Sequence, residues 1–205
     1  MSASQESRNT LALAVRSEPL PLRVHPLVLG MVIFLASESM LFAALFGAYY
    51  ELRSISPVWP PPDVSFSVPE ASAGTVMLLL ASATMIMATR ALRRRQMGQA
   101  RAWFVGSAGC GMLFLGLTVH GWSHAKFHIW SHAYGTIFYV MLGIHALHVL
   151  VGVVLITMLA LGVGARAFLR EDDAGAEAIG YYWHFVFAVW LVGIWPTIYL
   201  IGAPR

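Results

Sequence analysis

Charge is what this 205-residue chain has least of. Asp, Glu, Lys and Arg make up 11% of it, against about 25% in a soluble domain. That deficit argues against an ordinary soluble enzyme. A disordered chain is excluded too, because 58% of the residues are hydrophobic. Cysteine is nearly absent: the single Cys110 allows no disulfide within the chain and no Cys-x-x-Cys metal site. The phosphate-binding, dinucleotide, nucleophile-elbow and His-Glu-x-x-His patterns are all missing. No internal repeat is visible, and no catalytic apparatus can be read from the residues.

What is present is apolar length. Five continuous apolar stretches predict helices near 27–52, 71–91, 101–120, 134–165 and 181–202. Each approaches or exceeds the roughly 20 residues needed to cross a bilayer. The runs are continuous rather than alternating, which excludes β-strands as the spanning form. The expected fold is all-α, a single five-helix membrane bundle over 27–205 behind an N-terminal segment 1–26. The fourth stretch would make a helix of about 48 Å in a hydrocarbon core of about 30 Å. It is expected to tilt or to project on its cytoplasmic side. The polar, proline-containing start of the chain does not read as a signal peptide.

The basic pI of about 9.3 follows from orientation. Ten of the 13 Lys and Arg residues fall in segments on one side: Arg8, Arg16, Arg23, Arg90, Arg93, Arg94, Arg95, Arg101, Arg166 and Arg170. Arg53, Lys126 and Arg205 fall on the other. The positive-inside rule then predicts a cytoplasmic N-terminus and an outside C-terminus, and no nucleic-acid partner is needed. Arg93 to Arg95 could also meet anionic lipid, but orientation alone is the simpler account.

Polar residues inside the spans carry the chemistry. Glu38 is the only carboxylate deep in a stretch, about 16 Å from its start. An ionised carboxylate there needs protonation or a partner. His145 and His148, three residues apart, share a face of the fourth helix at similar depth. Glu38, His145 and His148 are therefore expected to form one buried polar cluster, with Ser37 or Ser39 as further donors. Three readings compete: a proton relay, a metal site, and interhelical hydrogen bonds that fix packing. The structural reading is favoured. A haem held by both histidines is disfavoured, because one helix cannot bracket one iron.

A second group, His120, His124, His128 and His132, recurs at every fourth residue around Trp122, Lys126 and Trp130. If helical, it is a stripe with i, i+4 metal spacing. An outside loop with interfacial tryptophans is the stronger reading, since no Cys or carboxylate joins it. Ala43-x-x-x-Gly47, Ala44-x-x-x-Ala48 and Ser107-x-x-x-Gly111 predict close helix contacts. Tyr49, Tyr50, Trp59, Trp122, Trp130, Tyr181 and Trp183 are expected in aromatic belts.

Several runs resemble subunit III of haem-copper oxidases. Residues 30–43, with Ser37-Glu38 and Phe42, are similar to that family's first conserved helix. Trp59-Pro60-Pro61-Pro62 is similar to its loop. Phe138-Tyr139 with Gly143-Ile144-His145-Ala146-Leu147-His148-Val149 resembles its paired-histidine helix, and Tyr182-Trp183-His184-Phe185-Val186 with Trp190 its last helix. The matches keep the family's order and cover most of 26–201. Two departures stand out: Phe187 occupies the family's Asp position, and His120 lies near a family Glu.

The resemblance implies the short five-helix form of a non-catalytic subunit in a proton-pumping terminal oxidase that reduces oxygen to water. It implies no haem or copper on this chain, those cofactors lying in partner subunits, and bound phospholipid. Direct contact with subunit I is implied, with subunit II and a small subunit IV in the same complex, in a bacterial inner membrane. Glu38, His145 and His148 match the family's buried glutamate and paired histidines. Trp59, Arg53, Arg90, Trp183 and His184 are expected to contact lipid or a neighbouring subunit. A subunit-III-like companion of a nitric oxide reductase is the alternative, and a stand-alone proton or ion pathway a third reading.

Overall fold

A computed structural model describes residues 25–62, 64, 68–164 and 173–201. The first 24 residues, Arg166, Arg170 and Arg205 lie outside the described residues. Five helices follow in order: α1, Pro26–Ile55; α2, Val68–Arg93; α3, Met97–His124; α4, Ala133–Gly164; and α5, which opens as Ala174–Ala188 and runs on to Ile201. All five are long and apolar enough to cross a membrane. No strand occurs among the described residues.

Local chemistry explains the ends. Pro26 sits at the first turn of α1, where a missing N–H costs nothing. His25 caps that turn, its Nδ1 accepting from the Leu27 N–H at 3.2 Å. At the close of α2, Arg95 takes a left-handed conformation with φ 59°. The Gln96 N–H reaches back to the Ala91 carbonyl at 2.9 Å and the Arg95 N–H to that of Leu92 at 2.8 Å. This is a Schellman closure, which satisfies carbonyls that the helix end leaves open. α5 begins at Ala174, before the apolar run that opens at Tyr181. Its polar first turns are held by Arg93–Glu177 at 3.6 Å and Arg95–Asp173 at 3.9 Å, contacts that hydropathy does not register.

Beyond Ala188 the winding of α5 widens to i→i+5 over Val189–Ile194 and again over Pro196–Ile201. Pro196 has no N–H to give to an α-helical ladder, and wide turns of this type cluster at functional regions.

The helices do not share the core equally. α3 packs along α2 and α4, while α5 touches α1, α2 and α4. α1 meets the bundle along a narrow seam through Val28, Phe42 and Tyr49. In its most apolar 18-residue window only 6% is buried within the chain, against 39% for α2 and α4. Most of α1 therefore faces outward.

In an apolar medium, helices associate through close packing and interhelical hydrogen bonds. Both operate here. Trp183 is 1% exposed and lies across two glycines. A Cβ on Gly152 would stand 2.5 Å from its ring, and one on Gly111 2.9 Å from it. The expected belt position of Trp183, and its expected lipid or subunit contact, are thus corrected: the indole fills the space that glycines leave between α3, α4 and α5. Tyr49 is likewise fully buried. Ser107 Oγ donates to the Ala81 carbonyl at 2.8 Å, tying α3 to α2. The face with Ser107 and Gly111 packs inward as expected. Ala43, Ala44, Gly47 and Ala48 are exposed instead, and no other described residue lies within 4 Å of where a Cβ on Gly47 would stand.

Candidate functional site

The polar interior lies where α1, α4 and α5 meet. Glu38 Oε2 of α1 lies 3.1 Å from His148 Nε2 of α4. Their side chains are 17% and 12% exposed. On its other side, His148 Nδ1 lies 2.8 Å from the Ile144 carbonyl. A carbonyl only accepts, so Nδ1 carries a proton. One further proton then sits between Nε2 and Oε2, on either atom. The pair is a neutral imidazole with a carboxylic acid, or an imidazolium with a carboxylate. Both states carry the same total charge, so neither leaves an unpaired charge in the apolar interior.

Neighbours hold the His148 ring. Phe42 of α1 lies 5.2 Å from it and Tyr182 of α5 stacks at 6.4 Å. The Tyr182 hydroxyl donates to the His148 carbonyl at 2.9 Å. Three helices thus converge on one residue.

His145 does not join this pair. Three residues of helix turn the side chains about 60° apart, and that angle separates them. His145, 1% exposed, donates from Nε2 to the Val186 carbonyl of α5 at 3.2 Å. It packs between Phe114 and Trp190, at 5.7 and 5.1 Å between rings. The Trp190 N–H is directed to Thr75 Oγ1 of α2 at 2.9 Å. The expected three-residue cluster is therefore two neighbouring arrangements: Glu38–His148, joining α1 to α4, and His145–Val186, joining α4 to α5. Ser37 and Ser39 do not serve Glu38. Their hydroxyls donate to carbonyls of their own helix, Phe34 at 2.7 Å and Leu35 at 2.8 Å.

The other expected residues scatter. His184 is half-buried, with Nδ1 2.7 Å from Ser82 Oγ of α2. Trp59 packs edge-on against Tyr49 and Tyr134, at 5.3 and 4.9 Å. Arg53 is half-buried and Arg90 exposed.

The histidine stripe is broken by the end of α3. His120 and His124 share its last turn, their rings 4.3 Å apart, and His124 Nδ1 donates to the His120 carbonyl at 2.9 Å. Ala125 then turns extended. His128 lies beside Trp130 at 5.2 Å, and His132 Nδ1 accepts from the Gly135 N–H at 2.8 Å. Four-residue spacing outside a helix does not make a face, so these imidazoles do not converge. Among the described residues, no group of three His, Cys, Asp or Glu side chains is placed to hold a metal ion.

Sequence reasoning missed the partners on α2 and α5. Thr75, Ser82 and Tyr182 each supply an interhelical bond, and their only signal was a lone polar atom in an apolar run. It also missed that Glu70, near the start of α2, stands 3.8 Å from His120.

Comparison with known proteins agrees with this architecture. A family model described as cytochrome c oxidase subunit III matches residues 21–203. A cytochrome c oxidase subunit 3 of Synechocystis sp. is 32% identical over 176 residues, covering 84% of this chain and 74% of that protein. One of Thermostichus vulcanus is 30% identical, covering 85% and 87%. A probable cytochrome c oxidase subunit 3 of Mycobacterium bovis is 31% identical over 207 residues, covering 94% and 99%.

Proposed function

This chain belongs to the cytochrome c oxidase subunit III family and is subunit III of a haem-copper oxidase, and from that premise we propose that it acts there as a non-catalytic stabilising subunit. It carries no redox centre of its own; haem and copper reside in its partners. The complex reduces oxygen to water and pumps protons in a bacterial inner membrane. The N-terminus of this chain is cytoplasmic and its C-terminus outside, as the arginine distribution supports.

The observation that carries this reading is the Glu38–His148 contact at 3.1 Å. It ties the least embedded helix, α1, to the centre of the bundle. One proton held between two buried groups makes a lock rather than a conduit. A conduit needs a succession of exchangeable groups, whereas His148 Nδ1 is engaged by a backbone carbonyl. The lock keeps α1 in place against the catalytic subunit and so sustains turnover. Its proton lies within the bundle, where it modulates proton supply in the adjoining subunit rather than carrying it.

Direct contact with subunit I is assigned to the outward face of α1, where Ala43, Ala44, Gly47 and Ala48 are exposed. Small residues allow a partner helix to approach closely. Subunit II and a small subunit IV complete the complex, and phospholipid fills the remaining apolar perimeter. Lipid or subunit contacts are assigned to Arg53, Arg90, Trp59 and His184.

Gentle purification through a tag on this chain tests the proposal, followed by an optical spectrum and oxygen-uptake traces over many turnovers. Haem absorbance with oxygen consumption is expected. For Glu38→Ala, a near-native initial rate with faster inactivation is expected. Immediate loss of most initial turnover would overturn the stabilising role and argue for direct participation. Haem with nitric oxide turnover and no oxygen turnover would overturn the oxygen-reductase assignment.

A further inference from the structure

The every-fourth-residue histidines part company at the end of α3, but their first pair stays helical. His120 and His124 lie in the last turn of that helix. Residues four apart on a helix are surface neighbours, and these two rings stand 4.3 Å apart, tilted by 35°. Both side chains are exposed.

The protons on the two rings are placed by their surroundings. His124 Nδ1 lies 2.9 Å from the His120 carbonyl. A carbonyl only accepts, so Nδ1 carries the proton. The Ser123 hydroxyl is 3.1 Å from the same nitrogen. It already donates to the His120 carbonyl at 2.7 Å, so it accepts from Nδ1 as well. The lone pair of the neutral His124 ring is therefore on Nε2. Behind His120, Glu70 Oε1 stands 3.8 Å from Nδ1. A carboxylate beside one ring nitrogen holds the proton on that side and leaves the lone pair on the other. Glu70 is asked only for this existing ion-pair contact, and for no contact with a ligand. Among the described residues, neither Nε2 atom has a hydrogen-bond partner.

A carboxylate or a backbone carbonyl on the far ring nitrogen is the usual outer contact of a metal-bound histidine. Such contacts fix the tautomer and the ring direction before the metal arrives. Zn–N bonds are about 2.0–2.1 Å long, so two rings on one ion stand close together, as these two do. Imidazole nitrogen suits zinc, copper and nickel, whereas magnesium and calcium prefer oxygen. Two side chains leave the other coordination positions to water, which the exposed turn supplies.

We propose that His120 and His124 form a two-residue surface site for a divalent transition-metal ion of the zinc type, bound through both Nε2 atoms. The ion bridges the last turn of α3 just before Ala125 turns extended. His128 and His132 take no part: the first lies beside Trp130, and Nδ1 of the second accepts from Gly135. The site is separate from the Glu38–His148 lock and does not depend on that lock's role.

The test uses the membrane complex, purified through a histidine-free tag on this chain and washed with EDTA. Zn²⁺ is the probe, by equilibrium dialysis against a chelator that sets the free ion concentration. Bound zinc is counted by atomic absorption. The native complex is expected to hold one zinc equivalent that His124→Gln and His120→Gln each bind at least tenfold more weakly. Excess Mg²⁺ is expected not to displace it. Ser123→His combined with His124→Ser keeps the number of histidines but turns the second ring by about 100°. That pair of changes is expected to lose the same equivalent. Haem content at the native level shows that each variant is assembled. Equal zinc binding by the native complex and His124→Gln would overturn the proposal. So would binding that survives the exchange of positions 123 and 124. A loss on His128→Gln as large as that on His124→Gln would also overturn it, by moving the metal to the loop.

Discussion

His148 Nε2 and Glu38 Oε2 meet at 3.1 Å although 110 residues separate them in the chain. The contact needs one proton. With Nδ1 already donating to Ile144, that proton is shared between imidazole and carboxyl.

Substitution at Glu38 distinguishes a donor from a charge. Glu38→Ala leaves Nε2 without a partner and is expected to lower the thermal stability of the complex by about 0.6–2 kcal/mol, the range of interhelical hydrogen bonds in membranes. Glu38→Gln keeps an N–H directed at Nε2 and is expected to stay closer to the native melting temperature. A Gln variant as weak as the Ala variant would show that the ionic form holds the helices. Differential scanning fluorimetry in detergent reads the difference.

The two histidines of α4 should respond differently. His145→Ala leaves a void between Phe114 and Trp190 and frees the Val186 carbonyl, and is expected to cost about 2–4 kcal/mol. The effect should appear as loss of assembled complex. His148→Ala should reproduce Glu38→Ala, and the double variant should be no worse than either single one. Additive losses in that cycle would mean that the two residues are uncoupled.

Glycines beside Trp183 form a sharp packing test. A methyl at Gly152 would stand 2.5 Å from the ring, so Gly152→Ala is expected to destabilise by about 1–3 kcal/mol through overpacking. Trp183→Phe in the same chain should recover part of that loss. Gly116→Ala, with nothing within 4 Å, should cost nothing measurable. Expression yield and melting temperature of the three variants check the ranking.

Orientation and docking are open to labelling. In a Cys110→Ser background, Arg94→Cys at the α2–α3 turn is expected to react with an impermeant maleimide only from the cytoplasmic side, and Lys126→Cys only from outside. Reversed labelling would overturn the assigned topology. Gly47→Leu adds bulk to the outward face of α1, where no other described residue comes within 4 Å of a Cβ. It should leave the isolated bundle's stability near native but reduce co-purified haem. Unchanged haem recovery would move the subunit contact to another face.

Much of the fold was legible from the residues alone. The five spans follow from continuous apolar length, a one-dimensional property that the solvent reads directly. The depths of Glu38 and of the paired histidines follow from helical rise. The family could be read too, because its motifs are local and keep their order. Misreadings arose wherever rotation about a helix axis, or a neighbour's identity, decided the outcome. His145 and His148 share a broad face, yet the angle between them directs one to Val186 and the other to Glu38. The every-fourth-residue histidines lost their common face because α3 stops at His124.

Sequence by itself determined that the chain is a bundle of five membrane-spanning helices with one deep carboxylate and two deep imidazoles. These are consequences of hydropathy and helical period, and hold for any packing of the five helices. Only the tertiary structure decided which buried groups meet, that Trp183 fills the gap left by Gly111 and Gly152, and that α1 keeps most of its surface outward. Such outcomes depend on the shapes of several helices at once. A close approach is possible only where one helix lacks a side chain and its neighbour presents a matching one.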